Sequence, residues 1–188
     1  MPRPRKPPRP ITADYLDKAA LFYLERYASS ADNLARVLMR RVERAARAGI
    51  SDRDEGRRLV AELVERYRAR GLLNDQTYAE GRARSLLRQG RPRAAIARRL
   101  AAKGVAPEAI DSALASLRDE AANPDLAAVI AFARRRRLGP YRLKDRDAFR
   151  DKDLAALGRA GFSYDLARRV LEADSPEALE AMLGEEPA

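Results

Sequence analysis

From Asp14 onward, apolar residues return every three or four positions and short polar breaks interrupt them, the pattern of amphipathic helices joined by tight turns. Leu16, Ala19, Ala20, Tyr23, Leu24 and Tyr27 predict a first helix, with its tyrosines at the edges of the buried face rather than serving as platforms for bases. Ser29, Ser30 or Asp32 is placed to cap a second helix, which carries Leu34, Leu38 and Val42 and closes at Gly49. Ser51, followed by Asp54 and Glu55, predicts the start of a third, with Leu59, Val60, Leu63, Val64 and Tyr67 on its inner face and a stop at Arg70-Gly71. Together these make a first three-helix module, residues 13–71.

The same grammar continues. Asn74-Asp75 is a natural N-cap pair for a helix with Tyr78, Ala79, Ala83, Leu86 and Leu87 on one face, ended by Gly90. A short helix with Ile96 and Leu100 stops at Lys103-Gly104, and Ala106-Pro107-Glu108 opens another with Ile110, Ala113, Leu114 and Leu117. That is a second module, residues 72–121. Asn123-Pro124-Asp125 begins a third, residues 122–173, with Leu126, Val129, Ile130 and Ala133 on its first helix. Tyr141 to Arg150 has no helical rhythm and predicts an irregular connector, after which Leu154, Leu157, Leu166, Val170 and Leu171 resume the pattern. Ser175-Pro176-Glu177 caps a last short helix within an acidic end, residues 174–188.

Counting supports a repeat. Gly49 to Leu59, Gly104 to Leu114 and Gly161 to Leu171 are each ten residues apart, and an apolar residue (Ile50, Val105, Phe162) follows each glycine. Modules that touch mainly their neighbours predict an elongated, curved body, with a radius of gyration above the roughly 16 Å of a globule this long.

Composition narrows the fold and the chemistry. Thirty-seven Ala and 23 Leu stand beside 14 Val, Ile and Thr together, which predicts an all-α protein. The absence of Cys and His removes thiolate nucleophiles, the commonest metal ligand and the commonest general base. No phosphate-cradling loop, dinucleotide fingerprint or metal-protease motif is present. Asp75 remains as a carboxylate that could hold a metal, but its place at a helix start assigns it to capping. We therefore expect no enzyme and no cofactor. The first ten residues, MPRPRKPPRP, contain no apolar run and predict a disordered basic tail over residues 1–12. No apolar stretch is long enough for a membrane, so a cytoplasmic monomer is expected.

Charge points to a partner. The net charge of +10 favours polyanions or acidic protein surfaces. It is unevenly placed: Arg82 to Lys103 holds eight Lys or Arg and no acid, whereas Glu172 to the C-terminus holds six acids and no base. Arg84 and Arg88 on one helix, Arg99 and Lys103 on the next, and Arg91 and Arg93 at the turn between them are expected to line one stripe, with Arg98 beside it. Arg134, Arg135, Arg136 and Arg137 form a second group. One or two cations would satisfy a helix C-terminus, and four suggest contact. Short helices with glycine turns also permit an alternative reading as a general DNA-binding protein. The helices contain few Asn or Gln, and so few base readers.

Gly71-Leu72-Leu73-Asn74-Asp75 with Tyr78, then Gly90, then Ile96, Leu100 and Gly104-Val105, resembles the RecX family, regulators of the RecA recombinase. Ser30, Leu34 and Leu38 match that family's first-module signature, and the likeness runs to about Leu171. Asn74 stands where the family usually has Asp, and Arg99 where it often has Glu. The resemblance implies that the partner is the RecA filament on single-stranded DNA. It further implies that the protein lies in the filament groove and lowers ATP hydrolysis and strand exchange, with an auxiliary contact to DNA.

Overall fold

Apolar spacing became burial with few exceptions. The computed structural model of the chain describes residues 8–120 and 123–183. Among these, every regular element is helical, and there is no strand. Three successive helix triplets and a short last helix account for them. The first triplet is α1 (Ala13–Leu24), α2 (Ala31–Arg47) and α3 (Arg53–Ala69). The second is α4 (Asp75–Arg88), α5 (Arg93–Ala101) and α6 (Pro107–Glu120). The third is α7 (Pro124–Arg136), α8 (Arg146–Ala160) and α9 (Tyr164–Glu172), and α10 (Pro176–Ala181) ends the fold.

The chain forms two compact units, one running to Tyr78 and including Lys103–Val105, the other comprising Ala79–Ala102 and the chain from Ala106 on. The core of the first is built by Leu16, Ala20, Leu34, Leu38, Val42, Val60, Leu63, Tyr67 and Leu73. In the second, Leu126, Val129, Ile130, Phe132, Leu157, Phe162, Val170, Leu171 and Leu179 make the main cluster. Alanine fills much of the rest, so helices approach closely with few large side chains.

Three local expectations need correction. Tyr27 is not an edge of the core: α1 stops at Leu24, the Tyr27 amide turns back onto the Tyr23 carbonyl, and the ring is 58% exposed. It rests tilted on Tyr23 with centroids 5.1 Å apart. The cap of α3 is Asp52, whose carboxylate accepts the Glu55 amide at 2.7 Å, while the Ser51 hydroxyl accepts the Ile11 amide at 2.8 Å. The connector is shorter than its polarity implied. A 3-10 turn covers Gly139–Tyr141 and α8 already begins at Arg146, its first turn held by the Arg146 guanidinium donating to the Leu171 and Ala173 carbonyls. Periodicity missed this turn because it is anchored by a cation, not by an apolar stripe. Part of the expected tail, residues 1–7, and the acidic end, residues 184–188, lie outside the described residues.

Capping follows the sequence at most helix starts, and in two places it reaches further. Ser30 caps α2, accepting the Asn33 amide at 3.2 Å. Asn74 and Asp75 divide their labour: Asn74 accepts the Thr77 amide of its own helix at 3.0 Å, while Asp75 accepts the Ala31 amide at the start of α2 at 2.8 Å. The second unit repeats the arrangement. Asn123 caps α7 through the Leu126 amide at 3.0 Å, and Asp125 accepts the Arg93 amide at the start of α5 at 2.9 Å. In both units a carboxylate from the opening turn of one triplet meets the positive end of the middle helix of the triplet before it.

A buried phenol gives the first unit a pH dependence. Tyr67 is 2% exposed and its hydroxyl donates to the Asp17 carboxylate at 3.2 Å. Burial, and secondarily the Asp17 charge, push its pKa up to about 12 from the ordinary 10. Below pH 10 the phenol is protonated in both folded and unfolded chains, and its contribution is fully present. Between 10 and 12 only the unfolded chain releases the proton, so stability falls by about 2 to 3 kcal/mol across that window. We expect ultraviolet titration to show a late phenolate that Tyr67→Phe removes. A wild-type titration in which every tyrosine ionises near its ordinary value would refute the assignment.

Candidate functional site

The basic surface is assembled by the turn after α4. Gly90 has φ +69° and sits directly on the α7 backbone, where a Cβ would lie 2.7 Å from the Phe132 nitrogen and 2.9 Å from the Ala128 oxygen. No side chain fits between them. The contact brings the C-terminal ends of α4 and α7 together, and Arg135 ties them, its guanidinium donating to the Gln89 carbonyl at 2.5 Å. The turn that follows Arg88, of the first predicted basic group, is thus tied to Arg135, of the second. Arg135 and Gln89 lie 46 residues apart in sequence, which hid this from periodicity.

The individual cations differ in their freedom. Arg88, Arg98, Arg99, Arg135, Arg136 and Arg137 are exposed. Arg137 closes α7 in the left-handed conformation, φ 54°, which points the chain away from the helix. Arg135 and Arg136 lie 5.6 and 5.9 Å from the Phe132 ring, their stems covering an apolar edge. Arg134 instead pairs with Glu180 of α10.

Arg93 is held by both Asp125 oxygens, with Nε at 3.0 Å, and works as part of a helix start. Arg84 is half-buried and lies 3.8 Å from Glu80 one turn earlier. Arg91 is partly buried, its Nε sealed without a hydrogen-bond partner among the described residues. Lys103 lies beyond the end of α5 and belongs to the first unit. There its ammonium donates to Asn33 at 3.0 Å, and its carbonyl accepts the Ser30 hydroxyl.

The expected motif residues are mostly architectural. Leu34, Leu38, Leu73, Ile96, Leu100 and Val105 are buried, and Tyr78 is partly buried. Leu72 is 52% exposed. Gly104 packs so closely on Asp32 that a Cβ could not be added without displacing that carboxylate. Gly71, by contrast, turns in open space.

One charged residue escaped the sequence reading. Asp153, on α8, is 2% exposed, yet it accepts the Gly139 amide at 3.1 Å and Arg142 Nη2 at 2.6 Å. No local pattern distinguishes it from the exposed Asp147 and Asp151. Its partners hold the loop before α8. Among the described residues no three carboxylates converge as metal ligands would, and no helix is long and apolar enough to cross a membrane.

Comparison with known proteins places this geometry. Residues 74–114 match the family described as RecX, second three-helix domain. The chain is 41% identical over 171 residues to the regulatory protein RecX of Myxococcus xanthus, covering 90% of each. It is 37% identical over 116 residues to the regulatory protein RecX of Agrobacterium fabrum, covering 61% of this chain and 59% of that one. Among solved structures, the crystal structure of RecX from Lactobacillus salivarius matches with a TM-score of 0.57 over 86% of this chain and 96% of that one. At 19% identity that match speaks for the fold.

Proposed function

Since the chain belongs to the RecX family of regulatory proteins, we propose that it binds the RecA nucleoprotein filament on single-stranded DNA and lowers its ATPase and strand-exchange activity. The observation that carries this reading is the 41% identity over nine tenths of both chains, joined to a fold whose exposed chemistry is cationic. A protein that regulates by occupying a filament needs no catalytic group. Successive modules, 13–71, 72–121 and 122–173, give it several contacts on one partner, so that modest affinities multiply through effective concentration.

In this reading Arg88, Arg135, Arg136 and Arg137 face DNA phosphates, with Arg98 and Arg99 beside them on α5. Positioning comes from charge, and the protein reads no base sequence. It acts as a cytoplasmic monomer without cofactor. The joined basic surface also favours the second reading, a general nucleic-acid binder, and salt separates the two. We expect fluorescence anisotropy to show tighter binding to RecA-coated single strands, loaded with a slowly hydrolysed ATP analogue, than to bare single strand or duplex. That preference should persist at salt that removes binding to bare DNA. Equal and steeply salt-dependent binding to all three would leave only the general binder.

A further inference from the structure

The outer face of α2 is a row of arginines that the core does not use. Leu34, Leu38, Val42 and Ala45 are buried, while Arg36, Arg40, Arg44 and Arg47 stand exposed on the opposite side, about 4.5 to 6 Å apart along the helix axis. Local structure accounts for part of the row. Arg36 pairs with Asp32 at 2.9 Å, and Arg47 lies 3.8 Å from Glu43. Arg44 and Arg47 fall in the last turn, where cations complement the helix dipole. Arg40 stands before that turn and has no ion pair among the described residues.

Asn33 lies on the same face of α2 and joins the row to a pair of rings. Its amide nitrogen donates to the Tyr23 hydroxyl at 3.1 Å and to the Ser29 hydroxyl at 2.8 Å, and its amide oxygen accepts the Lys103 ammonium at 3.0 Å. Tyr27 leans on Tyr23, centroids 5.1 Å apart, and keeps more than half of its surface in solvent. Tyr23 is thus fixed by α2 and Tyr27 is backed by Tyr23. A ring held in advance lowers the ordering cost of a contact made on it. Phe22, also exposed, differs, because the Arg26 guanidinium already covers it 3.7 Å from the ring centroid.

We propose that the outer face of α2 and the Tyr23–Tyr27 pair form a binding site for single-stranded nucleic acid, with the arginines along its phosphates and Tyr27 stacked on an unpaired base. Cations that track a backbone beside an aromatic platform are what a single strand requires. Duplex phosphates would satisfy the arginines but leave the ring without a partner, since paired bases offer no free face. An acidic protein surface likewise answers the row and not the tyrosine. Tyr27, α2 and Lys103 belong to the first unit, whereas Arg88 and Arg135 belong to the second, so this site is additional to the basic surface described above. It does not rest on the filament reading, because its ligand is the bare strand.

The test uses the full chain and three labelled probes: oligothymidylate, a duplex of equal length, and an abasic strand with the same phosphates. Each variant is first checked for unchanged thermal unfolding. We expect Tyr27→Ala to weaken oligothymidylate binding about tenfold and to leave the duplex and abasic strand unaffected. Arg40→Gln with Arg44→Gln should lower the salt slope on the single strand by about 1.4. Tyr27→Trp introduces a tryptophan into a chain that has none, and its fluorescence should be quenched by oligothymidylate but not by the abasic strand. Wild-type affinity of Tyr27→Ala with an unquenched tryptophan would overturn the platform. Equal losses on all three probes would make the ring a support of the fold, and an unchanged salt slope would assign the arginine row to another partner, such as an acidic protein surface. Either result overturns the proposal and leaves the filament reading, which is measured on RecA-coated strands, in place.

Discussion

Arg88→Glu, Arg135→Glu, Arg136→Glu and Arg137→Glu, combined in one chain, are expected to weaken binding to bare single-stranded DNA about a hundredfold or more at low salt. The four side chains are exposed and carry no ion pair among the described residues; Arg135 also donates to the Gln89 carbonyl, so the variant is first checked for unchanged thermal unfolding. Each lost phosphate contact lowers the salt slope on a single strand by about 0.7, and the variant should flatten it by up to about 3. The same four positions changed to lysine keep the charge, and most of the slope should survive. A reversed variant with wild-type affinity and slope would show that this surface does not face the strand. Arg84 and Lys103, prominent in the sequence, make poorer targets: one lies beside Glu80 and the other donates to Asn33, so changing them perturbs the fold as well as the charge.

Gly90→Ala should be the most damaging small substitution, at about 3 kcal/mol. Left-handed backbone at φ +69° costs an alanine about 1 to 2 kcal/mol, and the methyl would meet backbone atoms of Phe132 and Ala128 at 2.7 and 2.9 Å. Backbone cannot rotate out of the way as a side chain can, which adds about 1 to 3 kcal/mol of overpacking. At about 2 to 4 °C per kcal/mol for a chain of this size, the melting temperature should fall by about 6 to 12 °C. Gly71→Ala is the control: its φ is +71°, but nothing lies within 4 Å of the added methyl, and only the backbone strain remains. Equal losses in the two variants would show that α4 and α7 do not meet as described. Because Gly90 seats the turn that joins Arg88 to Arg135, the same variant should also weaken DNA binding.

The basic surface illustrates where reading along the chain stops. Each of its two cation groups is evident in the sequence, and so is the likeness to a family of recombinase regulators. That the turn after Arg88 meets Arg135 is not evident, because no periodic signal links residues so far apart. Lys103 shows the converse: four residues after Arg99, it continues a helical stripe on paper, yet α5 ends at Ala101 and the lysine turns to Asn33. The loop before α8 was hidden for a related reason. Its anchor is a charged residue, and charge by itself announces exposure.

The helices, their caps and their glycine stops are local properties. Each depends on residues within about four positions, through hydrogen bonds from i to i−4 and through one apolar stripe, and such information is complete in the sequence. An all-helical chain of triplets followed from it. Asp75 and Asp125 were also recognisable as helix-start residues, but their carboxylates accept amides 44 and 32 residues away. The burial of Asp153 beside Arg142 and the seat of Gly90 on α7 belong to the same class. Tertiary structure decided them because a carboxylate or a glycine presents the same local signal whichever distant group it meets, and only packing selects the partner.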